Sequence, residues 1–215
     1  MRRGRLISFE GLDGAGKTTQ MRLLEQWFQT QNIPCISTRE PGGTPLGTEI
    51  RHLLLQRPEL AITPLAEALL FQADRAQHFS TLVLPALAIG THVITDRCFD
   101  SSIAYQGVAR NMGAELIEQL SLIATQGHVP DLTILLDLDP ALVPVRTRKI
   151  DDHSSMREEQ THFDREHEEF HVRLRQAFLL LAQKHSERIK VINATQSLQQ
   201  LHQKIVALVA PLLDV

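Results

Sequence analysis

Apolar and polar residues along this chain alternate between two spacings. Arg5-Leu6-Ile7-Ser8-Phe9 alternates and reads as a buried strand. Thr18 to Gln29 carries helical spacing through Met21, Leu24 and Phe28. Cys35-Ile36-Ser37-Thr38 reads as a short strand, and Leu46 to Leu55 as a helix that Pro58 ends. Pro64 opens a long apolar helix expected from Leu65 to about Leu82. His92-Val93-Ile94-Thr95 is the next strand, ending in Asp96-Arg97; a helix starts near Ser101 and another spans Ala114 to Thr125. Leu132 to Leu136 is nearly unbroken in apolarity, as expected of a strand buried on both faces. Ile189 to Ile192 reads as the last strand and Leu198 to Leu213 as the last helix. The series predicts an α/β fold, a five-stranded parallel sheet with helices on both sides. Such sheets bind ligands beyond the carboxyl ends of their strands.

One stretch breaks the pattern. From Arg146 to about Glu169 the chain is highly charged and poor in core-forming residues. It reads either as a solvated segment or as a lid that carries arginines over a bound anion. At 215 residues the whole chain, 1–215, is expected to form one domain, with any lid falling at about 146–169. The net charge of −3 makes no case for nucleic acid or a membrane surface as partner. Two cysteines without C-x-x-C spacing read as reduced thiols of a cytoplasmic protein. The basic start, Met1-Arg2-Arg3-Gly4-Arg5, is not followed by the apolar run of a signal peptide. His162, His167 and His171 read as a polar face rather than a metal cluster.

The chemistry begins at Gly11-Leu12-Asp13-Gly14-Ala15-Gly16-Lys17-Thr18, which fits G-x-x-x-x-G-K-[ST]. Strand, glycine turn and helix start together form an anion trap, with backbone N–H groups and the helix dipole aimed inward. Lys17 is placed to bridge the outer phosphates of a nucleoside triphosphate, and the Thr18 hydroxyl to hold Mg²⁺. Such a loop names no reaction, since GTPase switches, motor ATPases and kinases all use it. Three further constellations narrow the choice. Phe71 and Arg75 share one helix face, where a ring can stack on a base and a guanidinium can donate to a base carbonyl. Asp96, at the tip of an apolar strand, is placed to orient Mg²⁺, and Arg97 beside it to clamp a phosphate. Ser102, Tyr105 and Gln106 follow at spacings that put a hydroxyl, a phenol and an amide on one helical face. Arg39-Glu40-Pro41-Gly42-Gly43-Thr44 offers Glu40 to a sugar hydroxyl, with Arg51 in reach of a second phosphate.

Together these segments resemble bacterial thymidylate kinases. Phe9 through Thr19 matches that family's P-loop, including the aspartate two residues after the first glycine. Thr38 through Thr44 matches its acceptor loop, and Leu70-Phe71 through Asp74-Arg75 its base-stacking helix. Asp96-Arg97 through Gly107 matches D-R-x-x-x-S-x-x-A-Y-Q-G. The resemblance implies a P-loop NTPase fold and transfer of phosphoryl from ATP to dTMP with Mg²⁺, in a homodimer. It further implies that Phe71 stacks on thymine, Arg75 reaches its carbonyl, and Ser102 and Gln106 read the other polar edge. Tyr105 would crowd the sugar 2′ position. Asp13 and Glu40 would sit near the 3′-hydroxyl, and Arg51 and Arg97 would hold the acceptor phosphate.

The chain departs from the pattern in three places, the smallest being Cys98, which stands where an aromatic or His is common. Some members carry an arginine where this loop has Gly14, so the missing charge is expected from the lid. Arg148 is the first candidate there, followed by Arg157 and Arg165. The stretch from Lys149 to Phe163 does not follow the family pattern. A GTPase would need an N-K-x-D or T-K-x-D motif, and Arg148-Lys149-Ile150-Asp151, with Thr147 out of register before it, neither has it nor ends an apolar strand. The nearer rival is a kinase for another nucleoside monophosphate, against which Tyr105 and the Ser102/Gln106 pair argue.

Overall fold

The computed structural model describes residues 3–146 and 168–213. Five parallel strands form one sheet: β1 (Leu6–Glu10), β2 (Cys35–Arg39), β3 (His92–Asp96), β4 (Leu132–Asp137) and β5 (Ile189–Asn193). Their spatial order is β2-β3-β1-β4-β5. β1 is therefore central, and every residue in it is buried, which is why its sequence is so short of charge. Helices α1 (Lys17–Thr30), α2 (Pro45–Gln56), α3 (Pro64–His78), α4 (Leu84–Ala88), α5 (Phe99–Ser102) and α6 (Ala114–Ala124) follow in chain order. After the charged stretch come α7 (Glu168–Lys184) and α8 (Leu198–Val209). Leu6, Ile7 and Phe9 of β1 and Ile134 and Leu136 of β4 anchor one core, closed by Phe28, Phe79, Phe99 and Leu174.

The expected long helix after Pro64 is interrupted. α3 stops at His78, a π turn runs from Phe79 to Val83, and α4 resumes at Leu84. Pro85 explains the break, because its ring has no N–H to give and would press on the carbonyl four residues back. A second π turn, Ile103–Ala109, follows α5 directly where an ordinary helix was expected. Helix α7 is absent from the sequence reading above. Its buried Phe170, Leu174, Ala177, Phe178 and Leu181 nonetheless form a full helical stripe, overshadowed by the charged run before it.

Candidate active site

Three loops leave the carboxyl ends of adjacent strands β2, β3 and β1, and they meet. In the first, Gly14 and Gly16 take φ of 75° and 95°, the left-handed region that glycine enters without a Cβ penalty. Gly11 has φ 131°, and a Cβ there would lie 2.4 Å from the Leu136 carbonyl oxygen. Leu12 and Ala15 turn into the core and pin the loop from below. Lys17 opens α1, and its Nζ donates to the carbonyls of Gly11 and Leu12, each at 3.1 Å. Asp13 Oδ1 lies 3.5 Å from the same ammonium and accepts from Arg97 Nη2 at 2.7 Å.

Arg97 adopts φ 65°, a left-handed conformation costing a non-glycine residue about 1 kcal/mol or more. Hydrogen bonds hold it there. Its N–H donates to Phe9 O at 2.9 Å, and Thr95 Oγ1 donates to its carbonyl at 2.8 Å. The guanidinium lies 5.1 Å from the Tyr105 ring centroid, in cation–π range. Burial opposes ionisation of Asp13, but Arg97 and Lys17 prevail and hold its carboxyl well below the usual range. Burial likewise works against the Arg97 cation, yet Tyr105 and Asp13 keep it firmly protonated.

Thr18 Oγ1 donates to Asp96 Oδ2 at 3.1 Å, so the two side chains expected at a metal are already neighbours. A hydroxyl and a carboxylate oxygen side by side suit Mg²⁺, which takes few protein oxygens and fills its octahedron with phosphate and water. Among the described residues no cluster of three or more His, Cys, Asp or Glu is arranged to hold a metal.

The second group lies one strand over. Arg75 is 2 % exposed. Its Nε donates to Glu40 at 2.8 Å, Nη1 to Gln72 at 2.8 Å and Ser121 at 3.3 Å, and Nη2 to Ser102 at 3.1 Å. A guanidinium has five N–H groups. Four of them are used in these bonds. Glu40 packs beside Arg75. It is 4 % exposed, and its oxygens accept from Arg75 and from His78 Nδ1, the latter at 2.9 Å. Burial opposes its charge, but Arg75 and His78 hold its carboxyl below the ordinary value. His78 Nε2 in turn meets the Thr38 hydroxyl at 2.8 Å. Asp74 accepts from the Gly42 N–H at 3.0 Å, fastening the acceptor loop to α3. Burial, then Glu40, pushes its carboxyl up to about 6.

Ser102, Tyr105 and Gln106 do not share one face. Ser102 and Gln106 face α3, through Arg75 and through Glu67, to which Gln106 donates at 2.9 Å. The Tyr105 ring turns instead toward Arg97 and toward Phe170 and Phe178 of α7. The π turn is the reason, since its wider winding shifts positions that an α-helix would align. Arg51 on α2 donates to the Pro41 carbonyl at 3.1 Å, beside the acceptor loop. Phe71 is half-buried on α3 against the core. Arg148, Arg157, Arg165 and the rest of the 147–167 stretch, His162 and His167 included, lie outside the described residues.

Sequence reasoning missed the supports: Asp74, His78, Ser121 and Glu67, and above all Glu10. Glu10 is the clearest omission, because a carboxylate ending a wholly buried strand is itself a signal. It accepts from the N–H groups of Cys98 and Ser101 at 2.9 and 3.2 Å.

A glycine loop ending a central parallel strand, a lysine at the following helix start and a neighbouring Asp-Arg turn define a P-loop NTPase built to handle phosphoryl groups. The family model described as thymidylate kinase matches residues 9–205. A thymidylate kinase of Cutibacterium acnes is 44 % identical over 211 residues, covering 98 % of each chain. One of Clavibacter sepedonicus is 48 % identical over 194 residues, 89 % of this chain and 87 % of that one. The crystal structure of thymidylate kinase from Ehrlichia chaffeensis superposes with a TM-score of 0.75 at 31 % identity, covering 96 % of this chain and 99 % of its own. The chain belongs to the thymidylate kinase family.

Proposed function

We propose that this chain transfers the γ-phosphoryl group of ATP to dTMP, giving ADP and dTDP, with Mg²⁺ as the metal. The observation that carries this reading is the position of Arg97, which touches the donor loop through Gly11 and Asp13 while standing at the head of the acceptor segment. The loop Gly11–Thr18 holds ATP, with Lys17 on the outer phosphates. Thr18 and Asp96 would hold Mg²⁺, which when bound neutralises charge on the donor phosphates. Arg97 and Arg51 orient the acceptor phosphate, Phe71 and Arg75 take the base, and Tyr105 packs near the sugar. Glu40, Ser102 and Gln106 set that pocket from behind through Arg75 and Glu67. Asp13 steadies Arg97 and Lys17, and Arg148 is assigned the remaining positive charge in a lid at about 146–169.

An acceptor phosphate is already a nucleophile near neutral pH. Its oxygen bonds to the γ-phosphorus as the bond to the ADP oxygen breaks, and no strong base is required. The work is positioning and charge neutralisation, which this set of lysine, arginines and oxygen donors supplies.

We place the protein in the cytoplasm as a single-domain homodimer. Free thiols at Cys35 and Cys98 agree with a reducing compartment, and no described helix is long and apolar enough to cross a membrane. Leu65 and Leu69 on α3 and Leu116 and Ile123 on α6 are exposed on adjoining helices, apolar area that a second copy would cover. Release of ADP from ATP and Mg²⁺ across a panel of nucleoside monophosphates tests the activity. Turnover is expected with dTMP far above dUMP, UMP and AMP; turnover with UMP or AMP and none with dTMP refutes the reading.

A further inference from the structure

Glu10 has no part in the scheme above, yet it is wholly buried at the boundary between the donor loop and the acceptor turn. It ends β1 and immediately precedes Gly11. Its side chain does not touch the donor loop through any hydrogen bond among the described residues. It faces the other way, toward the turn after β3. Oε1 receives the N–H groups of Cys98 and Ser101, and Oε2 receives the Ser101 hydroxyl. Ser101 Oγ also meets Arg97 Nη1 at 3.1 Å.

The direction of this chain follows from what each group can do. A guanidinium only donates, so Ser101 must accept from Arg97. A hydroxyl has one proton, so Ser101 gives it to Glu10. In its ionised form the carboxylate only accepts, and all three bonds run inward to it. The order is therefore Arg97 to Ser101 to Glu10, with the other arm of Arg97 on Asp13 at 2.7 Å. The residue held this way sits at φ 65°, where the backbone alone would not keep it. Glu10 fastens the two N–H groups that follow Arg97 and the hydroxyl that receives it. The charged groups acting on Glu10 are Arg97 and Asp100.

We propose that Glu10 is a positioning residue for the transfer, setting the Arg97 guanidinium through Ser101 and so aligning the acceptor clamp with the donor loop. This rests on the reading that Arg97 holds the acceptor phosphate. Glu10→Gln separates the idea from simple packing, since the amide is nearly isosteric but presents N–H where Oε2 accepts. It would donate to Ser101 Oγ and force the hydroxyl proton toward Arg97.

Steady-state kinetics with both substrates, alongside thermal melting, make the test on the full chain. E10Q is expected to lower kcat/KM for dTMP about tenfold or more while KM for ATP stays within about twofold. S101A, which removes only the relay oxygen, should move the same quantity in the same direction by a smaller factor. The double variant E10Q/S101A should be no worse than E10Q, because both changes cut one chain. A lowered melting temperature with dTMP and ATP kinetics unchanged, or affected equally, would reduce Glu10 to a structural part and overturn the proposal. So would multiplicative losses in the double variant. If E10Q does not fold, S101A decides alone: dTMP kinetics within about twofold of the parent refute the relay. R97A guards the premise. If R97A leaves dTMP kinetics intact, the assignment of Arg97 falls and this proposal with it; if R97A is crippled while E10Q and S101A are not, only this proposal falls.

Discussion

Replacing Arg75 by methionine would remove the buried cation on which Glu40, Gln72, Ser102 and Ser121 converge. Met fills most of the aliphatic volume, so the loss is chiefly electrostatic. Glu40 would keep His78 but lose its 2.8 Å partner, at 4 % exposure. Breaking a buried pair by deleting one member typically costs about 3–5 kcal/mol. Ser102, Gln72 and Ser121 would each lose a donor as well, adding about 1 kcal/mol apiece. At about 2–4 °C per kcal/mol for a chain of this size, the melting temperature should fall by roughly 20 °C. The sign with pH is distinctive. In the parent, Glu40 is held below its unfolded value, so its contribution is complete above about pH 4.5 and is lost as the pH falls through the folded value. In R75M, Glu40 is buried with little compensation and its carboxyl rises above the unfolded value. Glu40 then adds stability on acidification in the variant, where in the parent it adds none. Urea denaturation of both proteins at pH 8 and pH 5.5 measures the gap at each, and it should be smaller at pH 5.5. A gap under about 1 kcal/mol at pH 8, or one that widens on acidification, would refute the electrostatic account. R75M/E40L, with both charges gone, should recover much of the loss.

Gly11→Ala places a Cβ 2.4 Å from the Leu136 carbonyl oxygen at a φ of 131°, so calorimetry should show ATP binding lost along with stability. Glu10 is pushed up to about 7 by burial first, against the lowering pull of Arg97, and Asp74 to about 6. Both folded values exceed the unfolded ones, so their contributions are present in acid and are lost as the pH rises through about 4–7. The folding free energy of E10Q should accordingly fall less between pH 5 and pH 8 than the parent's, by a difference of order 2 kcal/mol; identical slopes would count against a buried, proton-binding Glu10. Ser197→Ala removes a capping box closed by Gln200 at the start of α8. It should cost about 1 kcal/mol in denaturant unfolding with dTMP turnover unchanged.

Much of this site was legible because its parts are tied to local pattern. The P-loop needs only a strand, glycines and a helix start in series, and all three are contiguous in sequence. Likewise Asp96-Arg97 stands out as charge at the end of an apolar run. What was not legible is long-range. Glu40 looks like an exposed turn carboxylate until Arg75 and His78, far along the chain, close over it. Ser121 looks like an ordinary helix residue until Gln72 and Arg75 converge on it. The order of strands likewise depends on crossovers that no periodicity records, although it alone brings β2, β3 and β1 side by side. Helix α7 is a different case, since its stripe was present and only its charged prelude drew attention away.

The π turn at Ile103–Ala109 has a consequence for how this enzyme tolerates change. Relative to an α-helix such a turn is a one-residue insertion, retained within an otherwise helical stretch. Point substitution at Ala104 or Val108 leaves the count of residues intact and therefore leaves Tyr105 and Gln106 aimed at different neighbours. Removing one residue beyond Gln106 would restore regular winding, in which positions three apart lie on neighbouring faces. Tyr105 would then be drawn toward the side that Ser102 presents to α3 and away from α7. The segment is thus defined by its length as much as by its letters, and a deletion scan would expose a constraint that an alanine scan passes over.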